Sequence, residues 1–489
     1  MGCAFASQWV KMMASVSFAG VGVAVDGFGA RARGGVRKAG RAGRRVAVRS
    51  DAAVLERPPS EEPAKRRSTA PTQWTIIRGQ RYDITDFMAR HPGGSTLLRL
   101  AVGRDATGLF DSSHMRPEVS TAMLRKLPKL DDLGLDDGLV SGPYPNDSEF
   151  YQAVRARVRQ EVFANGKIWH RGGQEKNSAA IIASAVVAYA WYATSASLLS
   201  GFVLGLAGAW IGLTLQHCGN HGAMTRWAWV NDLLGFTNDI AGGSSLCWRY
   251  HHQVSHHIHT NVHDVDQDVY SATPLLRFDA RCERRWFHKY QHVYMWMLFP
   301  FMTLGFHLDD VISTLKGEVI GAKMHGVSTM EKVLSLSGKV IHFSLLLGVP
   351  AYIHGLWAIL PAYFMYPLTQ GIALAATFAV SHNLDEVKQT PLSDDWAVAQ
   401  VENSANWGGA IGNFFTGGLN YQIEHHLFPS IGFGYYPAIG KIVEEECGKR
   451  GIHYAKYKTL PEILAKFCDF MAKTGAAPAP TDVIKVVKA

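Results

Sequence analysis

The chain has 489 residues, of which 47% are hydrophobic and only 18% are charged, and this composition predicts a membrane protein. The net charge of +8 arises entirely in residues 1–50, which carry nine basic residues and one acid. Because the remaining chain is balanced, a nucleic-acid-binding body with basic residues clustered on a folded face is disfavoured. The six cysteines form no CxxC pair, which argues against a disulfide-stapled secreted protein.

The first 50 residues have the composition of a targeting segment. The stretch RARGGVRKAGRAGRRVAVRS, residues 31–50, is rich in arginine and contains no acid. A secretory signal would place its basic residues before the apolar stretch, whereas here they follow it. We predict that residues 1–50 form a transit peptide, with the chloroplast favoured. The alternative is a disordered leader on a protein of the endoplasmic reticulum.

Residues 70–140 are predicted to form a small soluble domain. The segment WTIIRGQRYDITDFMARHPGG, residues 74–94, is too short and polar to span a membrane. His91 and His114 lie 23 positions apart, and Pro92, Gly93 and Gly94 permit a tight turn directly after His91. Two axial imidazoles would saturate a haem iron, so such a domain would carry electrons and not bind oxygen. The spacing alone leaves the pair ambiguous.

A linker, residues 141–177, follows this domain. Its segment EFYQAVRARVRQEVF has apolar residues at Phe150, Val154, Val158 and Val162, which is the spacing of a helix with one apolar face. This helix either lies on the membrane surface and orients the preceding domain or is an ordinary linker helix.

Two stretches contain no Asp, Glu, Lys or Arg, one between Lys176 and Arg226 and one between Lys339 and Asp385. Each is too long for one membrane crossing, which takes about 20 apolar residues. We predict two hairpins with spans at 179–197, 200–217, 338–355 and 360–380. The long charged segments then share the cytosolic or stromal side. A crossing at 290–308 would separate the histidine groups described next, so this segment is predicted to be interfacial or re-entrant.

Eight of the 21 histidines fall between His217 and His263. HCGNH and HHQVSHH each hold a pair four positions apart, on one helix face, and AVSHN and QIEHH follow the last span. Seven or eight imidazoles exceed what one ion takes, and two irons suit oxygen chemistry on an unactivated hydrocarbon. The predicted ligands are His217, His221, His252, His256, His257, His382, His425 and His426. The predicted tuning partners are Gln422, Glu424 and Asn220, while His251, His259 and His263 are placed outside the ligand set.

Two parts of the chain resemble known families. The segment that ends in HPGG closely resembles the cytochrome b5 family, in which His91 and His114 take the positions of the two haem ligands. Residues 178–460 resemble the membrane-bound front-end fatty acyl desaturases with a fused N-terminal cytochrome b5. HCGNH, HHQVSHH and QIEHH take the places of that family's three histidine boxes, with Gln422 in place of the first histidine of the third box.

The resemblance implies a mainly α fold. A small α+β haem domain would precede a domain of four transmembrane helices, whose di-iron cap faces the cytosol or stroma, and residues 461–489 would form a tail. It also implies a cis double bond inserted near the carboxyl end of a polyunsaturated acyl chain, with Δ4 favoured and Δ5 or Δ6 possible. The substrate would be a glycerolipid- or CoA-linked acyl chain. No catalytic residue is expected beyond the metal ligands.

The implied cofactors are two non-haem irons, haem b and O2. Electrons would come from NAD(P)H through a cytochrome b5 reductase or another donor. Two alternatives share the histidine boxes, namely a sphingolipid long-chain-base Δ8 desaturase and an acyl hydroxylase. An electron-transfer or metal-handling membrane haem protein is the alternative from another class. It is disfavoured because the histidines lie at span ends and the two charge-free stretches contain no acidic residue.

Overall fold

The computed structural model describes residues 72–130, 148–164, 169–170, 174–263, 266–387 and 395–478. The predicted transit peptide, residues 1–50, lies outside the described residues. Residues 72–130 are called the N-terminal domain below, and residues 174–478 the C-terminal domain.

The N-terminal domain combines a two-stranded antiparallel sheet with short helices. Its elements are β1 (Trp74–Ile77), β2 (Gln80–Asp83), α1 (Ser95–Arg99), α2 (Thr107–Ser113) and α3 (Pro117–Leu124). Gly79 lies in the hairpin turn with a φ of +75°, a conformation that glycine adopts without a steric penalty. The side chains of Ile77, Tyr82 and Leu124 meet in the core between sheet and helices. The domain therefore has the predicted α+β character.

The linker helix α4 (Glu149–Arg157) begins where the Ser148 side chain accepts a hydrogen bond from the backbone N–H of Tyr151. It continues as a π-helical turn over Val158–Val162. The predicted apolar stripe is buried in a cluster with residues of the C-terminal domain such as Ile439 and Val443. This face packs against protein, so the segment is a linker helix and not one that presents its apolar face to the membrane surface.

The C-terminal domain is mainly helical. Its helices in chain order are α5 (Gln174–Ser195), α6 (Leu198–Asn220), α7 (Ala228–Ile240), α8 (245–259), α9 (Gln291–Leu298), α10 (Met302–Lys316), α11 (Thr329–His354), α12 (Leu356–Ser381), α13 (Trp396–Glu402), α14 (Gly409–Thr416), α15 (Gln422–Leu427), α16 (Tyr436–Arg450) and α17 (Leu460–Ala476). Its short strands are β3 (Glu318–Val319), β4 (Ala322–Lys323), β5 (Ala405–Trp407) and β6 (Ala455–Tyr457).

Four helices of the described chain, α5, α6, α11 and α12, are long and apolar enough to cross a membrane. This confirms the predicted four spans, and the segment around 290–308 forms α9 and part of α10 instead of a fifth. Helix α11 begins at Thr329, well before the predicted 338, because a capping box between Ser328 and Glu331 starts it. Lys339 is buried and bonds to the Asp310 carboxylate and the Gly242 carbonyl, so its charge does not end the helix.

Close approach between α6 and α12 depends on small residues. A Cβ on Gly205 would lie 2.6 Å from the carbonyl oxygen of Tyr366 and 2.7 Å from Cβ of Thr369. Small residues let the backbones of two membrane helices approach closely. Within a bilayer such helices associate through van der Waals packing, because the hydrophobic effect does not favour contact between them. This contact holds α6, whose last turn carries His217, against α12, which ends just before His382.

The remaining helices cover one end of the four spans. Helix α17 lies in the stretch predicted as a C-terminal tail, yet its residues Ile463, Phe467 and Met471 are fully buried. Their spacing of four positions forms one apolar stripe, which packs beside Met295 of α9 and Phe299. The packed domain therefore continues to about residue 476, and strand β6 just before α17 pairs in parallel with β5.

Candidate metal centre and haem cavity

The eight predicted ligands come from four separate segments of the C-terminal domain. His217 lies in the last turn of α6 and His221 directly after it, and the second box lies in α8. His382 follows α12, and the last two lie in α15. The structure brings all eight together, because the hairpin α11–α12 returns the chain to the end of the spans at which α6 finishes.

One group of histidines consists of His217, His221, His252 and His425. One ring nitrogen from each lies within 4.8 Å of one from every other member. His257 adjoins this group, since its Nε2 is 3.1 Å from Nε2 of His252 and 3.0 Å from Nε2 of His425. The rings converge with their ligand atoms pointing inward, as the ligands of one metal ion do.

A second group consists of His256, His382 and His426, whose ligand atoms meet the same distance limit. The side-chain amide of Gln422 completes it, with Nε2 lying 2.9 Å from Nε2 of His382 and 3.1 Å from Nε2 of His426. Rotating this amide by half a turn would present its oxygen to the same point, since the two ends are interchangeable in shape. Gln422, which the sequence predicted as a tuning partner, therefore lies in a ligand-like position beside the second group.

The two groups are neighbours. The ring of His257 stacks on that of His426 with centroids 4.3 Å apart. The rings of His252 and His256 stack at 5.4 Å. Eight imidazoles in two adjoining sets fit two metal ions placed side by side.

Hydrogen bonds to Nδ1 orient the second group. Nδ1 of His256 lies 3.0 Å from a carboxylate oxygen of Asp266, and Nδ1 of His382 donates to the carbonyl of Asn403 at 2.9 Å. Nδ1 of His426 lies 2.8 Å from Oε1 of Gln400. Each bond holds the ring with Nε2 turned toward the group, which is how a protein fixes the tautomer of a metal ligand.

Burial keeps most of these imidazoles neutral. It lowers the pKa of His382 to about 3 and lowers the pKa values of His252, His257, His425 and His426 well below the ordinary 6.5. The neutral form is the one that binds a metal, because the lone pair is free.

His256 differs from the other ligands. Burial by itself would lower its pKa, but the carboxylates of Asp266 and Asp268 outweigh that effect and raise its pKa to about 9. A metal ion bound to Nε2 would replace this proton and take over the favourable interaction with the two carboxylates.

The other two predicted tuning residues do not contact the histidines through their side chains. The carboxylate of Glu424 accepts hydrogen bonds from Asn406 and Tyr454, and burial raises its pKa to about 7. The amide of Asn220 bonds to Gln216 and Arg249. Both residues therefore stabilise the helices that carry ligands and do not orient the ligands themselves.

The sequence reasoning missed Asp266 and Asp268. Asp268 is 2.6 Å from Nε2 of His251 and 3.2 Å from Nδ1 of His256, so one carboxylate joins a ligand to a histidine outside the ligand set. The pattern HDVDQD, a few residues after the second box, was the available signal. Asp266 and Asp268 in it are separated by one residue, and only the fold shows that both reach back to α8.

His91 and His114 form the second site. Nδ1 of His91 donates to the carbonyl of Gly94 at 3.1 Å, and Nδ1 of His114 to that of Phe110 at 2.6 Å. Their ring centroids are 6.2 Å apart. Metal–imidazole bonds of about 2 Å would place two rings roughly 6 Å apart on opposite sides of an iron. The pair thus fits the two axial positions of a haem.

These two rings open into a cavity of about 510 Å³ with a mostly apolar lining. Leu98, Phe110 and Leu124 are among the lining residues from the N-terminal domain. The volume and the apolar surface suit a flat macrocycle, and no carboxylate lines the cavity among the described residues. The residues present therefore fit haem b.

The C-terminal domain supplies the rest of the cavity wall. His221 and His257 of the metal centre line it, as does Gln253 between the ligands of the second box. The haem cavity and the metal centre consequently share a wall of two histidine side chains.

Polar contacts keep the two domains together. Oγ1 of Thr96 donates to Asp232 at 3.1 Å, and the guanidinium of Arg104 donates to the carbonyl of Lys323 at 2.8 Å. The hydroxyl of Tyr151 donates to the carbonyl of Leu427 at 2.8 Å, at the end of α15. The N-terminal domain is therefore docked by contacts from α1, from the segment before α2 and from the linker helix α4.

Comparisons with known proteins agree with both sites. The family model described as fatty acid desaturase matches residues 190–458, and the one described as cytochrome b5-like heme/steroid binding domain matches residues 60–133. Every predicted metal ligand lies in the first match, and both predicted haem ligands lie in the second.

Three relatives resemble nearly the whole chain. An acyl-lipid (7-3)-desaturase, chloroplastic, of Chlamydomonas reinhardtii is 54% identical over 82% of this chain and 80% of its own length. An acyl-lipid (7-3)-desaturase of Rebecca salina is 32% identical over 83% and 91% of the two lengths. An acyl-lipid (8-3)-desaturase of Physcomitrium patens is 31% identical over 85% and 90%.

Proposed function

Since this chain belongs to the fatty acid desaturase family, as an oxygen-dependent front-end desaturase of the membrane, we propose that it inserts a Δ4 double bond into a polyunsaturated acyl chain. The overall reaction converts a CH2–CH2 unit to CH=CH. The substrate loses two hydrogen atoms, and the donor supplies two electrons, which are accompanied by two protons. Together with one O2 these give two molecules of water.

The observation that carries the proposal is the set of eight clustered histidines in two adjoining groups, seven of which are buried. Two irons bound there would supply the oxidation of an unactivated C–H bond, which side chains alone do not achieve. We propose His217, His221, His252, His257 and His425 for one iron, and His256, His382, His426 and Gln422 for the other. Burial holds most of the ligands neutral, and hydrogen bonds to Nδ1 orient the rings of the second group.

The relatives' names support the proposed regiochemistry. A new double bond three carbons to the carboxyl side of one at carbon 7 lies at carbon 4, and the two relatives named (7-3)-desaturases agree with this position. The relative named an (8-3)-desaturase would act at carbon 5 by the same reading. The higher identity to the Chlamydomonas protein favours Δ4, and the name acyl-lipid favours a glycerolipid-bound chain.

We propose that electrons reach the metal centre through a haem held by His91 and His114. The shared wall of His221 and His257 supports this route, because two proposed iron ligands line the haem cavity itself. A cytochrome b5 reductase or another one-electron donor would reduce the haem. The basic leader and the chloroplastic relative favour a chloroplast membrane over the endoplasmic reticulum.

The test is expression of residues 51–489 in yeast fed acyl chains whose first double bond lies at carbon 7 or, separately, at carbon 8. Gas chromatography with mass spectrometry would locate each new double bond, and His425→Ala serves as the inactive control. We expect a bond at carbon 4 from the first substrate only. A bond at carbon 5 from the second substrate alone would replace Δ4 by Δ5, whereas a hydroxylated acyl product or a desaturated sphingoid base would move the protein to one of the alternative activities.

A further inference from the structure

The haem cavity is lined by both domains, and its charged residues are distributed between them. Among the described residues its lining contains two arginines, Arg116 of the N-terminal domain and Arg226 of the C-terminal domain, and no lysine or acid. His170 also lines it, but burial lowers the pKa of that imidazole to about 4, so it adds no charge at neutral pH. The cavity is therefore apolar inside and carries two positive charges.

Both arginines are exposed, whereas Ile77, Leu100 and Ala106 of the same lining are buried. The positive charges thus lie toward the open end of the cavity. A ligand with an apolar body and an anionic end would bind with that end outward, because burying a carboxylate without a partner is costly.

The two guanidinium groups are also alike in their surroundings. That of Arg116 lies over the ring of Trp169 at 5.2 Å, and that of Arg226 lies over Trp227 at 4.6 Å. Neither forms an ion pair with an acidic residue in the part of the chain that the structure describes; the nearby Glu118 bonds to Arg159 instead. Stacking on an indole face leaves the N–H edge of a guanidinium available for a carboxylate.

We propose that Arg226, a residue of the C-terminal domain, binds one propionate of the haem, and that Arg116 of the N-terminal domain binds the other. This inference rests on haem b occupying the cavity, as proposed above. Haem b has two carboxylates at one edge of an apolar macrocycle, which matches a mostly apolar cavity whose two charged lining residues are exposed arginines. The cofactor would then be held by side chains of both domains and would help to keep the N-terminal domain docked beside the metal centre.

The test compares full-length variants in detergent, each reconstituted with haem b and, separately, with its dimethyl ester, which lacks both carboxylates. The variants are Arg226→Gln, Arg226→Lys, Arg116→Gln and the control Arg125→Gln, an exposed arginine at the end of α3 that does not line the cavity. The readouts are the rate of haem transfer to apomyoglobin, followed in the Soret band, and the haem midpoint potential.

With haem b, we expect Arg226→Gln and Arg116→Gln to lose haem several-fold faster than the wild type. Their midpoint potentials should fall, because a lost positive charge favours the oxidised iron. Arg226→Lys should recover part of the retention, and Arg125→Gln should match the wild type. With the dimethyl ester, all five proteins should lose haem at one rate.

Two results would overturn the proposal. One is equal haem loss by Arg226→Gln and Arg125→Gln with haem b; the other is faster loss by Arg226→Gln that persists with the ester, which would assign the arginine to domain contact instead of propionate binding. Wild-type protein that binds no haem through its two histidines would remove the haem proposal itself, and is recognised by the absent Soret band.

Discussion

His91 and His114 take their Nδ1 partners from backbone carbonyls of their own helix or turn, whereas the histidines at the span ends rely on side chains and carbonyls distant in sequence. Asp266 bonds to His256 from ten positions away, and Asn403 bonds to His382 from 21 positions away. The rings of His91 and His114 are thus oriented by local structure. The metal centre is oriented only when several helices have packed.

The comparison shows why the two sites suit different tasks. Two axial imidazoles complete the coordination of a haem iron, so that site exchanges electrons and leaves no position for oxygen. The eight clustered histidines belong to segments that approach from several directions around a common interior. We expect the orientation of the His91 and His114 rings to tolerate changes elsewhere in the fold, and the metal centre to fail when any supporting segment shifts.

Removal of a clustered ligand should have the largest effect. We expect His425→Ala to abolish the desaturated product and lower the non-haem iron content, since even changes in groups that only support a ligand cost about 10–100-fold in metal affinity. Iron analysis together with the Soret absorbance measures both sites in one sample. The control is His453→Ala, an exposed histidine. Loss of haem along with iron in His425→Ala would contradict the separate assembly of the two sites.

Removal of an axial ligand should have the converse effect. His91→Ala is expected to lose the Soret band while retaining wild-type non-haem iron, because the buried histidine groups do not depend on that ring. Product should fall strongly in cells, since the proposed electron route passes through the haem. Normal product from a variant shown to lack haem would remove the N-terminal domain from the electron route.

A change in the hydrogen bond to a ligand should be milder than loss of the ligand. Asp266→Asn removes the carboxylate from Nδ1 of His256 but keeps its size, and we expect iron affinity to fall about 10–100-fold. Competition with a chelator measures the affinity. The control is Asp385→Asn, whose carboxylate bonds to Lys473 at the surface. An unchanged iron affinity in Asp266→Asn would show that packing alone orients this ring.

A pH dependence confined to the metal centre is expected without any substitution. Because the pKa of His256 is raised to about 9, its proton stabilises the metal-free fold below the ordinary 6.5, and this contribution is lost as pH rises through 9. Iron must displace that proton, so affinity should rise by up to about tenfold per pH unit above pH 7, and less steeply as the pH nears 9. Titrations at three pH values measure the slope. Asp266→Asn should flatten it, and a flat wild-type curve would refute the assigned proton.

Several features could be predicted from the sequence because they depend on local patterns. Charge-free stretches of more than 40 residues predicted the four spans, and pairs of histidines four positions apart predicted helical ligand groups. The His91 and His114 pair was predicted by its turn and by family resemblance. The start of α11 was misplaced, because an isolated sequence does not show that Lys339 meets Asp310 inside the fold.

Other features were decided by tertiary structure alone. The division of eight histidines into two groups, and the roles of Asp266, Asp268 and Gln400 beside them, require helices far apart in sequence to pack together. Packing also buried the apolar faces of α4 and α17, for which the sequence left a membrane surface or a free tail open. Arg116 and Arg226 line one cavity for the same reason, because packing brings the two domains together. Sequence periodicity shows which face of a helix is apolar, and only the assembled fold determines what that face meets.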